Sequence, residues 1–312
     1  MTDPADQASH AVFDTRLIRA HLDRATATGR GEADYLLAAA SEELADRLDL
    51  ILRQFELGVD VTAVTTHGAQ ALAASGKVSG TLCLAPTSRI AGSLVSHASS
   101  STRIAAADPE TLPLASETCD LAVSLLGLTL VNDLPGALVQ VRRALRPDGL
   151  FLAALLGGNT LSELREVLLT AEAEGVGGVS PRIAPFADLR DMGALLQRAG
   201  FALPVTDVQT LTVRYGSPLT LLQDLRSMGA TNPLLARSRT PLRRDVLMRA
   251  MALYQERFSD SDGKVRATFD IIWVSGWAPH DSQQKPLRPG SARTRLADAL
   301  GTDERPAGDK VG

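Results

Sequence analysis

The chain has 312 residues, a formal net charge of −4, 45% hydrophobic residues and 22% charged ones. That balance fits a globular protein with one large α/β domain or two small ones. No basic stripe interleaved with aromatics is present, which excludes the nucleic-acid-binding class.

The N-terminus, MTDPADQASHAVFD, lacks the charged, apolar and small-residue zones of a signal peptide. It carries Asp3, Asp6 and Asp14, which argues against a mitochondrial presequence. Residues 1–12 read as disordered. Phe13–Arg24 and Glu32–Phe55 read as helices, split at Gly29-Arg30-Gly31. In the second, Leu44, Leu48, Ile51, Leu52 and Phe55 share a face that Glu42, Asp46 and Asp49 avoid. These helices either cover a sheet edge or cap a ligand cleft.

Val59–Val64 reads as strand one and Thr81–Leu84 as strand two. Leu121–Leu126 is a nearly unbroken apolar run, as in a strand buried on both faces of a parallel sheet. Asn132 and Asp133 can cap a helix whose first turn holds Pro135 and whose apolar face is Leu134, Leu138, Val141 and Leu145. Arg146-Pro147-Asp148-Gly149 stops that helix, and Leu150–Leu156 is a second buried strand. Strand, helix and strand with short joints make one right-handed crossover unit.

Gly157-Gly158-Asn159-Thr160 follows at a strand end, where two glycines let a loop pack closely. Asn159 or Thr160 can cap the helix that carries Glu163, Arg165 and Glu166. Asp188–Ala199 is amphipathic and closed by Gly200. Phe201–Tyr215 and Arg266–Trp277 read as strands six and seven, with helices at Pro218–Met228 and Pro241–Phe258 between them and Thr240-Pro241 as a cap pair. The tail from Pro286 onward, rich in Pro, Gly, Arg and Asp, reads as flexible.

Several motifs carry a family resemblance. VNDLPGAL, LRPDGLF, GGNTLSELR, SPRIAPFADLRDMGALLQRAGF, DLRSMGATN and GWAPHDSQQKPLRPGSA resemble the methyltransferase-fold assembly factor of respiratory complex I, a family known as protein arginine hydroxylases. More distantly the chain is similar to the malonyl-carrier-protein methyltransferase of biotin synthesis. Both resemble class I S-adenosylmethionine (SAM) methyltransferases. The resemblance implies an α/β, Rossmann-like fold: a seven-stranded, mostly parallel sheet with an antiparallel last strand, N-terminal helices, and a helical insertion between strands six and seven. It divides the chain into a tail and cap at 1–58, a methyltransferase-like domain at 59–285 with its insertion at about 217–260, and a tail at 286–312.

The same resemblance assigns SAM as cofactor. Asp60 stands for the acid and Gly68 for one glycine of a loop whose other glycine positions hold Thr62, Val64 or Thr66. β-Branched residues are poor at positive φ, so this loop reads as degraded. Strand two ends in Ala85-Pro86, neither able to accept the ribose hydroxyls. Asp108 matches the residue that bonds the adenine amino group, although a turn role accounts for it equally. Thr129-Leu130 replaces the usual His-Trp. SAM binding is therefore expected to be weak or lost.

Asn159, Thr160, Glu163, Arg165 and His280 are candidates for a substrate-side or partner-side face. A solvated helix or rim accounts for the last three as well. No catalytic residue is assigned. The five histidines show no metal-ligand spacing, so no metal is expected. Cys83 and Cys119, the only cysteines, fit a reducing compartment better than a disulfide framework. The longest apolar stretch, near Leu121–Val131, is far short of the roughly 20 residues of a membrane helix.

Three functions follow: an enzyme of the hydroxylase or methyltransferase type, a non-catalytic assembly factor, or a methyltransferase for a carrier-bound acyl group. The expected partner is a protein client such as a complex I subunit. The expected location is a bacterial-type cytoplasm, with peripheral attachment to the inner membrane left open.

Overall fold

A computed structural model describes residues 11–29, 31–176 and 178–284, together with residues 298, 301 and 302. The expectation of a flexible tail from 286 lies outside the described residues, as does that of disorder over 1–10. Among the described residues, those up to 279 form one compact unit and those from 280 another.

The larger unit is built on one seven-stranded sheet in the order β3-β2-β1-β4-β5-β7-β6. The strands are β1 (Phe55–Asp60), β2 (Val78–Ala85), β3 (Thr102–Ala106), β4 (Cys119–Leu125), β5 (Leu145–Leu156), β6 (Ala202–Tyr215) and β7 (Val265–Trp277). β1 pairs in parallel with β2 and with β4, β2 with β3, and β4 with β5. β7 alone runs against its neighbours, β5 and β6. This is the methyltransferase-type sheet that the resemblance implies. The chain leaves β1 toward one edge and returns on the other side of it as β4. Their carboxyl ends therefore splay apart at the switch point where such sheets bind ligands.

Alternation along β4 shows how both faces are filled. Leu121, Val123 and Leu125 pack with Leu44 and Leu48 of α2 (Tyr35–Asp49) and Leu72 of α3 (His67–Ala74). Ala122 packs on the other face with Leu138 and Val141 of α5 (Leu134–Ala144). Helix α4 (Ser88–Val95) covers β2 and β3 through Ile90 and Leu94. A further apolar cluster joins α6 (Ser162–Val176), α8 (Pro218–Met228) and α9 (Arg244–Phe258) to Phe269 and Val265 of β7. The two helices of the insertion, α8 and α9, thus pack into the same body as the sheet.

Local chemistry moves several expected boundaries. Strand one is Phe55–Asp60 rather than Val59–Val64. The β-branched run after Asp60 looks strand-like, but the Asp60 carboxylate accepts from the Thr62 amide at 3.2 Å and closes a turn. The helix expected to reach Phe55 stops at Asp49, and Lys77 donates to the carbonyls of Asp49 and Ile51, which the helix leaves unpaired. Leu52 is then 98% exposed, not part of the apolar face.

The Arg146–Gly149 turn is absorbed into β5, with Asp148 at φ +62°. Thr240 and Pro241 precede α9, which begins at Arg244 without a side-chain cap. Asp188 caps α7 (Leu189–Arg198) by accepting from the Arg190 amide at 2.8 Å.

Helix α1 (Thr15–Thr28) lies outside the sheet and is tied down at both sides of the switch point. Asn132, expected as a helix cap, instead accepts from the amides of Val12 and Phe13 at 2.8 Å each. Asp133 does the capping, accepting from the Gly136 amide at 2.8 Å. On the insertion side Phe13 bridges to Leu234, the Asp14 amide donates to the Pro233 carbonyl, and Arg237 pairs with Asp14 at 3.0 Å. Residues 11 and 12 are thus part of the fold.

Candidate functional site

A cavity of about 640 Å³ opens at the carboxyl ends of β1 and β4. Its walls come from the turn after β1 (Thr62, Val64), the loops after β2 and β3 (Pro86, Asp108 to Glu110), the segment after β4 (Leu125 to Val131), helix α1 and the insertion. A volume of that size, mostly apolar with a few polar groups, falls within the range of about 300–1,000 Å³ typical of small-ligand pockets.

At the switch point the side chain of Thr62 is buried and shares a 2.6 Å hydrogen bond with Ser124 Oγ across β1 and β4. A Cβ placed on Gly127 would lie 2.3 Å from Thr62 Cβ, so Thr62 and Gly127 interlock. No residue between Val61 and Thr66 has a positive φ. The β-branched residues therefore sit without backbone strain, in a turn that does not use the positive φ that glycines would allow. What they change is space: side chains stand where glycines would leave the backbone bare.

Asp60 is buried at the end of β1, and burial pushes its carboxyl up to about 7. Gly68 lies in the first turn of α3, where a Cβ would come within 2.3 Å of Asp60 Oδ2. The two explain each other, yet neither lines the cavity. Asp108 does line it. Its Oδ2 pairs with Arg19 of α1 at 2.5 Å and its Oδ1 accepts from the Glu110 amide at 3.0 Å.

Beyond β2, Ala85 is sealed into the cluster of Cys83 and Ile90 while Pro86 faces the cavity, so no carboxylate is offered from that strand. The hydroxyl of Thr87 donates to Asp23 of α1 at 2.5 Å. Arg19 and Asp23, one turn apart, therefore hold α1 onto the ends of β3 and β2.

After β5 the candidate face divides. Thr160 is fully buried, its hydroxyl donating to the Asp270 carbonyl at 3.2 Å and accepting from the Asp270 amide at 3.1 Å. It staples the loop to β7 and leaves α6 to begin at Ser162. Asn159 is exposed. Glu163 turns inward, accepting from the amide and hydroxyl of Thr268 at 3.2 and 2.5 Å. Arg165 donates to the carbonyls of Gly158 and Thr160 and lines a shallow outer groove with Phe186 and Leu234.

His280 belongs to the second unit, where its Nδ1 lies 2.7 Å from Ser282 Oγ. Burial pushes the thiols of Cys83 and Cys119 up to about 12, so neither is a nucleophile. Among the described residues no cluster of His, Cys, Asp and Glu is suited to a metal ion.

Sequence reasoning missed Arg19, Asp23 and the Thr62–Ser124 pair. Only the i,i+4 spacing of Arg19 and Asp23 was visible as a signal, and it does not say what the pair touches.

A methyltransferase-domain family model matches residues 59–153. The arginine-hydroxylase NDUFAF5 of Danio rerio is 39% identical over 290 residues, covering 92% of this chain and 89% of that one. The human protein of the same name is 40% identical over 259 residues, covering 83% and 74%. The chain belongs to this arginine-hydroxylase family. The malonyl-[acyl-carrier protein] O-methyltransferase of Laribacter hongkongensis is 33% identical over 288 residues, covering 89% and 94%. Among solved structures, the YcgJ protein of Bacillus subtilis aligns with a TM-score of 0.53 at 16% identity over 77% of this chain and 99% of its own. That likeness speaks for the fold alone.

A methyltransferase domain implies SAM, and the cavity lies where the fold would place it. This member of the arginine-hydroxylase family offers a poor fit. Thr62 and Val64 put side chains on the wall after β1, Pro86 offers no carboxylate after β2, and Arg19 is paired with Asp108. Its α1 helix spans the nucleoside side of the cavity.

Proposed function

We propose that this chain is a client-binding member of the arginine-hydroxylase family in which the nucleoside site has been given up. Its expected client is a protein such as a subunit of respiratory complex I, taken on the side of the cleft framed by the insertion. The observation that carries this reading is the buried Thr62 side chain wedged between Ser124 and Gly127 at the switch point. The Arg19–Asp108 pair and Pro86 support it, because each removes a partner that a nucleoside would need.

The methyltransferase-like domain, expected at 59–285, is taken to reach back to Phe55, where β1 begins. The expected location is the cytoplasm of a bacterial cell, which two free, buried cysteines suit. Among the described residues no helix is long and apolar enough to cross a membrane.

Titration calorimetry with S-adenosylhomocysteine tests the nucleoside half of the reading. No heat of binding is expected at concentrations where methyltransferases saturate, and micromolar binding overturns it. A pull-down that recovers complex I subunits tests the client half; recovery of an acyl carrier protein instead would favour transfer to a carrier-bound acyl group. A second reading, retained SAM-dependent turnover, is favoured by the cavity itself, which remains open with Asp108 on its wall.

A further inference from the structure

Away from the nucleoside end, the cavity is walled by Leu168, Leu222, Leu225, Met228, Leu247 and Phe269. These belong to the cluster that joins α6, α8 and α9 to β7, so the apolar wall is part of the core and not a loop that collapses. Water entering this end finds few hydrogen-bond partners, which makes it a poor permanent occupant.

The rim differs in character. Arg226 on α8 lines the cavity, is exposed, and has no carboxylate within ion-pair reach among the described residues. Beside it, buried His21 is held below the usual histidine range, first by burial and then by the charges of Arg24, Arg237 and Arg226. Arg237 is paired with Asp14, and of the arginines on the cavity wall Arg19 is paired with Asp108 and Arg182 with Glu172, which leaves Arg226 as the lining arginine outside an ion pair among the described residues. An apolar chamber with an arginine at its edge suits a ligand that is apolar along its length and anionic at one end.

We propose that the insertion side of the cavity binds a single-chain anionic amphiphile, a long-chain fatty carboxylate, with its hydrocarbon between α6, α8 and Phe269 and its head group at Arg226. Where α1 meets the segment after α8, a Cβ on Gly229 would lie 3.2 Å from the His21 carbonyl oxygen and Thr231 Oγ1 is 2.8 Å from His21 Nδ1, so this side of the chamber is held in place. This inference is independent of the nucleoside reading, because none of the walls it uses is at the ends of β1 to β3. The calorimetry above reads one end of the cleft and the experiment below reads the other.

The experiment uses the full chain with cis-parinaric acid, a fluorescent fatty acid, and its methyl ester. Saturable binding of the acid is expected, lost in Leu222→Trp, which fills the chamber. Arg226→Glu should weaken the acid roughly tenfold or more while leaving the ester nearly unchanged, the scale of one hydrogen bond to a charged group. Thermal melting confirms that each variant is folded; if Leu222→Trp does not fold, Leu222→Phe serves as the filling variant. Absence of saturable binding by the wild-type chain overturns the proposal. So does binding that the filling variant leaves untouched, or an equal loss of acid and ester in Arg226→Glu.

Discussion

Thr62 Oγ1 lies 2.6 Å from Ser124 Oγ, both side chains buried where β1 and β4 separate. The pair fills the crevice that this sheet topology opens, and it does so with a bond that cannot be removed from one side without leaving the other hydroxyl unpaired. Opening the crevice therefore trades stability for access. In Thr62→Gly with Val64→Gly and Pro86→Asp, S-adenosylhomocysteine affinity should rise measurably over wild type by calorimetry. The triple variant should also lose on the order of 2–3 kcal/mol in urea unfolding, from the orphaned Ser124 hydroxyl and two added glycines. No gain in affinity would mean that the nucleoside pocket lies elsewhere.

Asp60 provides a pH signature. Burial raises its folded-state value from 3.8 to about 7. Between those two values the folded protein holds a proton that the unfolded chain has released. Its contribution to stability is full below about pH 4, falls as pH rises through 7, and is flat beyond. At about 1.4 kcal/mol per pKa unit, the fall amounts to several kcal/mol. In Asp60→Asn, urea midpoints measured across this window should lose that slope. An unchanged slope would assign the effect to another group.

The β4–helix–β5 unit was legible because both strands are apolar on both faces and the turns beside them carry Gly, Pro and Asp, while the seven-stranded sheet with its antiparallel last strand followed from the family resemblance. The start of β1 was not. Val61 to Thr66 has the β-branched composition of a strand, and only the Asp60–Thr62 hydrogen bond shows that it turns. That no carboxylate follows strand two, at Ala85-Pro86, was legible. The fastening of α1 to that side of the cavity was not, since Arg19 and Asp23 are 89 and 64 residues from their partners Asp108 and Thr87. Nor could Glu163 be known to face the sheet, because a single acid in a helix's first turn is equally at home in water.

Arg182 and Glu172 form the most enclosed ion pair of the described residues, with side chains 19% and 4% exposed. Glu172 also accepts from the Ser180 amide at 2.9 Å, so this pair pins the segment that carries Ile183 and Phe186 over the cavity. Arg182→Ala leaves a buried carboxylate without its cation and should cost about 3–5 kcal/mol in urea unfolding. The variant Arg182→Ala with Glu172→Leu should recover much of that. Failure to recover would show that the Ser180 contact, not the charge, is what the segment needs.

Gly127 offers the sharpest test of the wedge. Its φ is not in the left-handed region, so glycine is not required there for backbone reasons. The three atoms nearest to an added methyl group all belong to Thr62, with Oγ1 and Cβ 2.2 and 2.3 Å from it. Gly127→Ala alone should therefore destabilise strongly, by the few kcal/mol typical of overpacking a core. In a Thr62→Gly background the same change meets no Thr62 side chain, and of those three atoms the Thr62 carbonyl oxygen, 2.9 Å away, remains to shift. The two substitutions should then be far from additive, with a coupling energy at the upper end of the roughly 0.5–3 kcal/mol seen for residues in contact. Additive effects in that cycle would mean that Thr62 does not occupy the crevice, and the case for a closed nucleoside end would lose its principal support.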